Sequence, residues 1–375
     1  MNEKIYVDHA ATTPLIPAAL EAMRPFLETE YGNPSTLYAL SRNPRKAVDE
    51  ARDAIAAAIG ASPKEIYFTS GGTEADNLAI KGTAFRWPAR RRHIITSAIE
   101  HHAVLNSCAF LERFGYDVTY LPADAKGLVS PAALAAALRP ETILISIMTA
   151  NNEIGTMEPI QELTAAAERE NIPFHTDAVQ AVGHIPVSVE RMGVHMLSAS
   201  AHKFGGPKGI GFLYVRRGMP LEPLIHGGGQ ERGQRSGTEN VAGIVGMAAA
   251  LTEHLRTMES DAKYLEELRK RLIEGLSGAG LDFIINGAEM HIPGSLSVSF
   301  RNTDGEMILH RLDLMGIETA TGSACNSRET VLSHVLEAVH VPEEYARGTI
   351  RITLGTENTA EQMDRITAGI TRIFQ

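Results

Sequence analysis

Residues 66–85 read IYFTSGGTEADNLAIKGTAF and combine three local patterns. Ile66–Thr69 is a short apolar run of the kind that forms a buried strand. Ser70–Thr73 contains two adjacent glycines and predicts a tight turn. Glu74–Phe85 lacks proline and predicts a helix. The stretch is therefore a strand–turn–helix unit, and such units build sheets of mostly parallel strands.

The same alternation continues along the chain to about residue 215. The other predicted strands are His93–Ser97, Thr142–Met148, Ile172–Thr176, Met196–Ser198 and Ile210–Val215. The predicted helices between them are Ala103–Arg113, Pro131–Leu138 and Ile160–Arg169. Another helix precedes the first strand, beginning at Asn43-Pro44 and ending at Gly60. Strands separated by helices indicate an α/β fold with a mostly parallel sheet that helices cover on both faces.

The pattern changes after about Val241. Two helices are predicted at 240–258 and 261–277, and shorter strands and helices follow them to the end of the chain. This part resembles a smaller α+β domain. We expect a large domain at residues 15–257 and a small domain formed by residues 1–14 together with 258–375.

Composition excludes several classes of protein. The chain has 375 residues, 44% of them hydrophobic, with a net charge of −10, so disorder and non-specific nucleic-acid binding are not expected. No apolar run is long enough to cross a membrane, and the first 14 residues lack the apolar core of a secretory signal. The two cysteines are too few for a disulfide scaffold or a thiolate metal cluster. These features predict a reduced, cytoplasmic enzyme.

Polar side chains follow five of the predicted strands. They form the clusters Ser70–Thr73, Glu100–His102, Asn151–Glu153, Asp177–Gln180 and Ser200–Lys203. In an open α/β sheet, ligands bind beyond the carboxyl ends of the strands. We therefore expect these clusters to form one site.

The residue types in three clusters suggest a cofactor. The glycine turn, with Gly72 and Thr73, is either an anion site at a helix N-terminus or an ordinary helix cap, and no P-loop lysine follows it. Asp177 is either a helix cap or the partner of a protonated ring nitrogen. Lys203, with Lys208 as a rival, is a candidate amine nucleophile. A phosphate site, an aspartate and a lysine are together the groups that pyridoxal 5′-phosphate requires.

The remaining candidates are less specific. His101 and His102 are weak metal ligands, and one of them could instead lie over a flat cofactor. Cys325 lies in a stretch of polar and small residues, which predicts an exposed loop. Cys108 lies in a helical pattern, which predicts a buried thiol in the core. Arg351 alternates with apolar residues and faces either solvent or a cleft, where it would suit a carboxylate.

Taken together, the motifs resemble those of the pyridoxal-phosphate-dependent cysteine desulfurases, in the class V aminotransferase group with the fold type I architecture. The resemblance covers nearly the whole chain. It is carried by YVDHAATT at 6–13, YGNPS at 31–35, FTSGGTEADNLAI at 68–80, IEHHAV at 99–104, NNEIG at 151–155, HTDAVQ at 175–180, SAHKFGGPKGIG at 200–211, HGGGQERGQRSGTEN at 226–240, GSAC at 322–325 and RITLG at 351–355.

The resemblance implies a role for each matching residue. Lys203 would bind the cofactor as a Schiff base and move the substrate α-proton, Asp177 would pair with the ring nitrogen, and His101 would stack on the ring. The other cofactor contacts would come from Asn152 and Gln180 at the phenolic oxygen, and from Gly72, Thr73, Ser200 and His202 at the phosphate. Thr238 would reach the phosphate of a neighbouring subunit, which implies a homodimer with shared active sites. Arg351 and Asn33 would bind the substrate carboxylate.

The reaction implied is removal of sulfur from L-cysteine. Cys325 would attack the substrate sulfur, leaving L-alanine and a persulfide on the enzyme. The short cysteine loop resembles that of desulfurases that supply iron–sulfur assembly, so we expect an acceptor protein for iron–sulfur cluster, thio-cofactor or tRNA synthesis. No metal site, nucleic acid or membrane partner is expected. The alternatives are a selenocysteine lyase, another fold type I enzyme, or a catalytically silent sulfur carrier.

Some positions depart from the family pattern. Tyr38 stands where a histidine is usual, and Ser41 and Arg328 replace glycines. Leu332 replaces a proline, and residue 9 is His where Asn is common. Two of these, Arg328 and Leu332, lie in the cysteine loop and bear on the choice of acceptor.

Overall fold

The computed structural model describes residues 4–87, 91–322 and 332–375. Its strands are β1 (Ile5–Tyr6), β2 (Ile66–Thr69), β3 (His93–Ser97), β4 (Asp117–Leu121), β5 (Thr142–Ser146), β6 (Phe174–Asp177), β7 (Met196–Ser200), β8 (Gly211–Val215), β9 (Phe283–Asn286), β10 (Ser295–Phe300), β11 (Ile317–Glu318) and β12 (Thr349–Thr353). Its helices are α1 (Pro17–Glu28), α2 (Arg42–Ile59), α3 (Gly72–Arg86), α4 (His102–Glu112), α5 (Pro131–Ala137), α6 (Ile160–Glu168), α7 (Val189–Met192), α8 (Val241–Gly278), α9 (Gly305–Leu314), α10 (His334–Ala338), α11 (Glu343–Ala346) and α12 (Ala360–Phe374).

The large sheet has seven strands in the order β2-β8-β7-β6-β5-β3-β4. Its pairs are parallel from β7 through β4, and only β8 runs antiparallel to both of its neighbours. The predicted α/β class with a mostly parallel sheet is therefore confirmed. Because β8 runs antiparallel to both β2 and β7, those two strands run in the same direction. The segments that follow β2, β3, β5, β6 and β7 consequently meet at one edge of the sheet.

A smaller sheet and a strand pair are built from the two ends of the chain. β10 pairs antiparallel with both β9 and β12, while β1 pairs in parallel with β11. Ile5 and Val7 share an apolar cluster with side chains of β10, α9 and α12. A two-residue strand that pairs with a segment 312 positions away leaves no local signal, and the sequence analysis identified neither β1 nor β11.

Helix α8 corrects one prediction. Residues 241–278 form one continuous helix, where the sequence analysis placed two. No glycine or proline interrupts the chain between the two predicted pieces, so nothing ends the helix there. Its first half, including Met247 and Leu251, packs on the large-sheet core, and its second half, including Leu268 and Leu272, packs on the core of the small sheet.

These two cores support a division of the chain between residues 257 and 258, within α8, and we retain the two-domain boundaries as a proposal. In the described part of the chain, no helix is both long and apolar enough to cross a membrane.

Candidate active site

Asp177 is the last residue of β6 and lies buried at the common edge of the strands. Its Oδ1 accepts the backbone N–H of Val179 at 2.9 Å and so stabilises a turn. The helix-cap interpretation is wrong, because the next helix, α7, begins only at Val189. Burial raises the pKa of this carboxyl, while His101 and Lys203 act against that rise. An aspartate in such a position gains most from a cationic partner, because the partner compensates the charge that burial disfavours.

His101 caps α4 and faces Asp177. Its Nδ1 accepts the backbone N–H of Ala103 at 3.1 Å, which leaves Nε2 as the nitrogen that carries the proton of the neutral ring. Burial lowers the pKa of His101, so the ring is neutral near pH 7. His102 points elsewhere, with its ring centroid 4.8 Å from that of His334. The structure therefore brings only the first of the two histidines to the cluster.

Asp76, on α3, completes this cluster and was not identified from the sequence. One ligand atom each from Asp76, His101 and Asp177 lie within 4.8 Å of one another. Such a donor set suits either a metal ion or a protonated ring nitrogen. Helix α3 is buried on more than one face, so its pattern gives no sign of which polar residue points towards the site.

Lys203 follows β7 and lies against the N-terminal segment. Its Nζ donates to the carbonyl oxygens of Ala10 and Ala11, the second at 3.0 Å. Gln180 Nε2 donates to the same Ala10 carbonyl at 3.0 Å, which places the predicted lysine and glutamine side by side. Lys208, the rival candidate, is exposed. The sequence gives no sign that residues 10 and 11 contact Lys203, because they do so only through their backbone carbonyl oxygens.

The glycine turn comes within contact distance of the segments that follow β6 and β7. A Cβ on Gly72 would lie 2.5 Å from Val179 Cγ2, and one on Gly71 would lie 3.5 Å from Ser200 Oγ. No side chain caps the N-terminus of α3. Exposed Thr73 is in its first turn, so the geometry offers backbone N–H groups, a threonine and a serine to an anion.

His202 lies in the segment after β7, two residues beyond Ser200. Its Nδ1 is 3.1 Å from Thr12 Oγ1. Burial and the neighbouring charges of Lys203 and Lys208 lower the pKa of His202 to about 4. The ring is therefore neutral at pH 7 and acts there through hydrogen bonding.

Two buried or partly buried ion pairs anchor the segment that carries Thr238. Glu231, held at φ 46°, accepts from Arg52 at 2.6 and 2.8 Å and from the Phe68 N–H at 3.0 Å. Arg235 pairs with Glu74 on α3. Thr238 itself is exposed. These anchors were missed because the paired residues are far apart in sequence.

Arg351 is the middle residue of β12 and is only 2% exposed, so the solvent-facing alternative is wrong. Its Nη2 donates to Asp8 Oδ1 at 2.7 Å and its Nη1 to the Asn152 carbonyl at 2.9 Å. Among the described residues, its Nε has no hydrogen-bond partner. Asn33 forms a local turn, in which its Oδ1 accepts the Ser35 N–H at 2.9 Å, and no contact with Arg351 is described.

Cys325 and Arg328 lie outside the described residues. Glu153 contacts the two flanks of that segment, since Ser333 Oγ donates to its Oε2 and a Cβ on Gly322 would lie 3.1 Å from the same oxygen. Leu332 packs on a small apolar cluster. Cys108 is buried, as predicted, and burial raises the pKa of its thiol to about 12.

Three further departures from the family pattern have local partners. His9 lies between the Thr353 carbonyl and Glu357, with its ring nitrogens at 2.9 and 2.7 Å. Buried Ser41 is within hydrogen-bonding distance of Thr36, and Tyr38 is exposed beside them. None of these contacts involves the cluster around Asp177.

Comparison with known proteins gives a consistent result. The family model of aminotransferase class-V matches residues 5–366. A cysteine desulfurase IscS from Dictyoglomus turgidum is 52% identical over 376 aligned positions, which cover 100% of this chain and 95% of the relative.

Solved structures agree with these matches. A NifS-like protein superposes with a TM-score of 0.94 at 40% identity, covering 99% of both chains. A structure described as SspA in complex with cysteine gives a TM-score of 0.85 at 40% identity, covering 94% of this chain and 99% of that one.

Proposed function

Because the chain belongs to the aminotransferase class-V family and is a pyridoxal-phosphate-dependent cysteine desulfurase, we propose that the cluster around Asp177, His101 and Lys203 is its active site. One observation carries the proposal: a buried aspartate, a neutral histidine and a lysine from three separate strand ends lie close enough to perturb one another electrostatically. Packing of the fold does not require three titratable groups in one buried place.

The residues present fit the cofactor. Gly72 leaves no room for a side chain beside Val179, and a phosphate is the kind of group that such a bare turn at a helix N-terminus accepts. We assign the phosphate to Gly72, Thr73, Ser200 and His202, with Thr238 from a second subunit. Asp177 would hold the proton of the ring nitrogen, and His101 would lie against the ring. Asn152 and Gln180 would hold its phenolic oxygen.

When bound, the cofactor supplies an aldehyde that condenses with amines and a ring that accepts the electron pair left by removal of a proton. Lys203 would hold the cofactor covalently and then carry the α-proton of the substrate. Its Nζ is aligned by the carbonyl oxygens of Ala10 and Ala11. The Lys203 carbonyl is in turn 2.7 Å from His184 Nε2, which fixes the backbone at this residue.

Arg351 and Asn33 would bind the substrate carboxylate. The Nε of Arg351, which has no partner in the described part of the chain, supports this assignment, because a buried guanidinium nitrogen without a partner is costly unless a ligand completes it. Asp8 and the Asn152 carbonyl fix the plane of the same guanidinium.

Cys325 would accept the sulfur. Its thiolate attacks the sulfur of L-cysteine, a sulfur–sulfur bond forms, and the carbon–sulfur bond breaks. The electron pair of the broken bond stays with the carbon skeleton, which takes up a proton and leaves as L-alanine. The two sulfurs become a persulfide while that carbon is reduced, so the step needs no external oxidant or reductant.

The proposal includes two protein partners, a second copy of the chain and a sulfur acceptor. We propose a homodimer with shared sites, supported by exposed Thr238 and by large apolar side chains on and after α1, with Leu27, Tyr31 and Leu37 exposed by 63%, 75% and 89%. A sulfur-acceptor protein for iron–sulfur cluster, thio-cofactor or tRNA synthesis and a cytoplasmic location remain predictions from the sequence.

The lysine assignment is tested with Lys203→Ala and Lys208→Ala. The first variant should lose the visible absorbance of bound cofactor and produce no alanine from L-cysteine. The second should keep both, because Lys208 is exposed. Normal turnover by the Lys203→Ala variant would contradict the proposed active site.

A further inference from the structure

Asp76 is a second carboxyl in the site that the proposed mechanism does not use. It is 1% exposed and belongs to α3, whereas Asp177 belongs to β6. One carboxyl oxygen of Asp76 lies within 4.8 Å of one of Asp177, and a hydrogen bond to Asp177 acts to raise the pKa of Asp76. Two carboxylates this close cannot both be ionised without a large electrostatic cost, so the pair shares a proton.

A line of buried polar side chains leads to Asp76 from the middle of the large sheet. Ser146 Oγ is 2.9 Å from His175 Nδ1, and His175 Nε2 is 2.9 Å from Ser198 Oγ. A hydrogen bond from Ser198 acts to lower the pKa of Asp76. Burial lowers the pKa of His175 to about 3, so the ring is neutral and has one N–H.

Because the His175 ring has a single N–H, the direction of every hydrogen bond in this series of side chains is fixed. The Ser198 hydroxyl gives its hydrogen to Asp76 and therefore accepts from His175 Nε2. His175 Nδ1 then accepts from Ser146. All donors point towards Asp76, and hydrogen bonds that run in one direction polarise one another. The end of the line is the pair of carboxyl groups.

Of the two carboxyl groups, Asp76 is the one that keeps the shared proton. Burial raises the pKa of Asp76 well above its ordinary value, and the nearby charges of Asp177 and Glu100 raise it further. Its Oδ1 is buried and has no hydrogen-bond partner among residues 4–87, 91–322 and 332–375, and His175 Nε2 is 3.7 Å away. Asp177 instead has the Val179 N–H, His101 and Lys203 to support a negative charge.

We infer that Asp76 is a positioning residue that keeps a proton and donates it in a hydrogen bond to Asp177. This inference rests on the proposed function of Asp177 as the partner of the cofactor ring. The bond orients the Asp177 carboxylate and keeps the negative charge of the pair on the group that faces the ring nitrogen. Asp76 does not touch the reacting atoms.

The test measures how tightly the full-length holoenzyme keeps pyridoxal phosphate. Wild type, Asp76→Ala and Asp76→Asn are diluted into a scavenger of free pyridoxal phosphate, and the loss of visible absorbance is followed. Thr83→Ala is the matched control, because Thr83 is buried on the same helix two turns away and its hydroxyl donates to the Ala79 carbonyl and to Met196 Sδ.

We expect Asp76→Ala to hold the cofactor about tenfold to a hundredfold less tightly, the range for loss of a hydrogen bond to a charged group. Asp76→Asn should stay within about threefold of wild type, because the amide still donates to Asp177. Thr83→Ala should match wild type. Thermal unfolding of each variant, measured in parallel, separates cofactor affinity from loss of the fold.

Two results would overturn the inference. One is wild-type retention by Asp76→Ala. The other is a loss in Asp76→Asn as large as that in Asp76→Ala, which would mean that the charge of Asp76 matters rather than its proton. If Asp76→Ala does not fold, the Asp76→Asn result alone decides. If wild-type protein neither keeps the cofactor nor forms alanine, the proposed function itself fails.

Discussion

Arg235 and Glu74 form a bidentate ion pair, with Nε and Nη2 at 2.9 and 3.2 Å from the two carboxylate oxygens. Glu74 Oε2 also accepts the Ser70 N–H at 2.8 Å. Burial acts to raise the pKa of Glu74, but Arg235 and the Ser70 N–H outweigh it and hold the pKa low. The pair thus joins the glycine turn to the segment that carries Thr238.

The first prediction concerns this pair. Arg235→Ala should weaken cofactor retention by about tenfold, because it leaves an uncompensated carboxylate beside the proposed phosphate site. The rate of loss of bound pyridoxal phosphate measures the effect. Arg271→Ala is the control, since Arg271 makes a similar bidentate pair with Asp364 on an exposed surface. Equal retention by the two variants would contradict a role for Glu74–Arg235 in the site.

The second prediction concerns substrate binding. Arg351→Lys should raise KM for L-cysteine by at least about tenfold, with a smaller effect on kcat, because lysine cannot reproduce a planar guanidinium. Steady-state kinetics of alanine formation separates the two constants. Arg347→Lys, at an exposed position two residues before β12, should behave as wild type. An unchanged KM in Arg351→Lys would remove Arg351 from the substrate site.

The third prediction concerns stability and pH. Burial raises the pKa of Glu158 to about 8 from its ordinary value of 4.5, and its Oε1 has no hydrogen-bond partner in the part of the chain that the structure describes. Between these two values the unfolded chain has lost a proton that the folded chain keeps, so Glu158 lowers stability as pH rises.

Glu158→Gln removes that penalty. The difference in unfolding free energy between Glu158→Gln and wild type should therefore grow by a few kcal/mol, to order of magnitude, between about pH 4.5 and pH 8. Urea denaturation at pH 5 and pH 8 measures it. A difference that stays constant or shrinks with rising pH would show that the carboxyl is ionised in the folded protein.

The fourth prediction tests the shared site of the proposed dimer. Lys203→Ala and Thr238→Glu should each be inactive alone, the second because a carboxylate repels the phosphate. In a mixed dimer, one of the two sites has both Lys203 and Thr238 intact. Co-refolding equal amounts should restore about one quarter of wild-type activity, the value for random pairing of a twofold dimer. Absence of any recovery would place Thr238 within its own subunit's site.

The sequence predicted the parts of the molecule whose signals are local. The strand Ile66–Thr69 and the glycine turn after it are confirmed at the predicted residues. Asp177 and Lys203 follow strands, and the topology brings all such segments to one edge. Those predictions needed only the periodicity of the apolar residues and the rule that ligands bind beyond the carboxyl ends of parallel strands.

The features that were missed depend on contacts between distant segments or on the absence of an apolar pattern. β4 is an edge strand with exposed residues, so Asp117–Leu121 shows no buried run. Asp76 is one polar residue on a helix covered on several sides, and its partners come from β6 and β7. The ion pair of Arg52 with Glu231 joins positions 179 apart.

The central claim is that sulfur moves from L-cysteine to Cys325. The most direct measurement is the mass of the Cys325 peptide after reaction with L-cysteine, together with alanine formation by wild type and Cys325→Ala. The account predicts that the wild-type peptide gains one sulfur atom in a form that a thiol reductant removes, and that Cys325→Ala forms little alanine. Wild-type alanine formation by Cys325→Ala, with no sulfur on the Cys325 peptide of the parent, would contradict it.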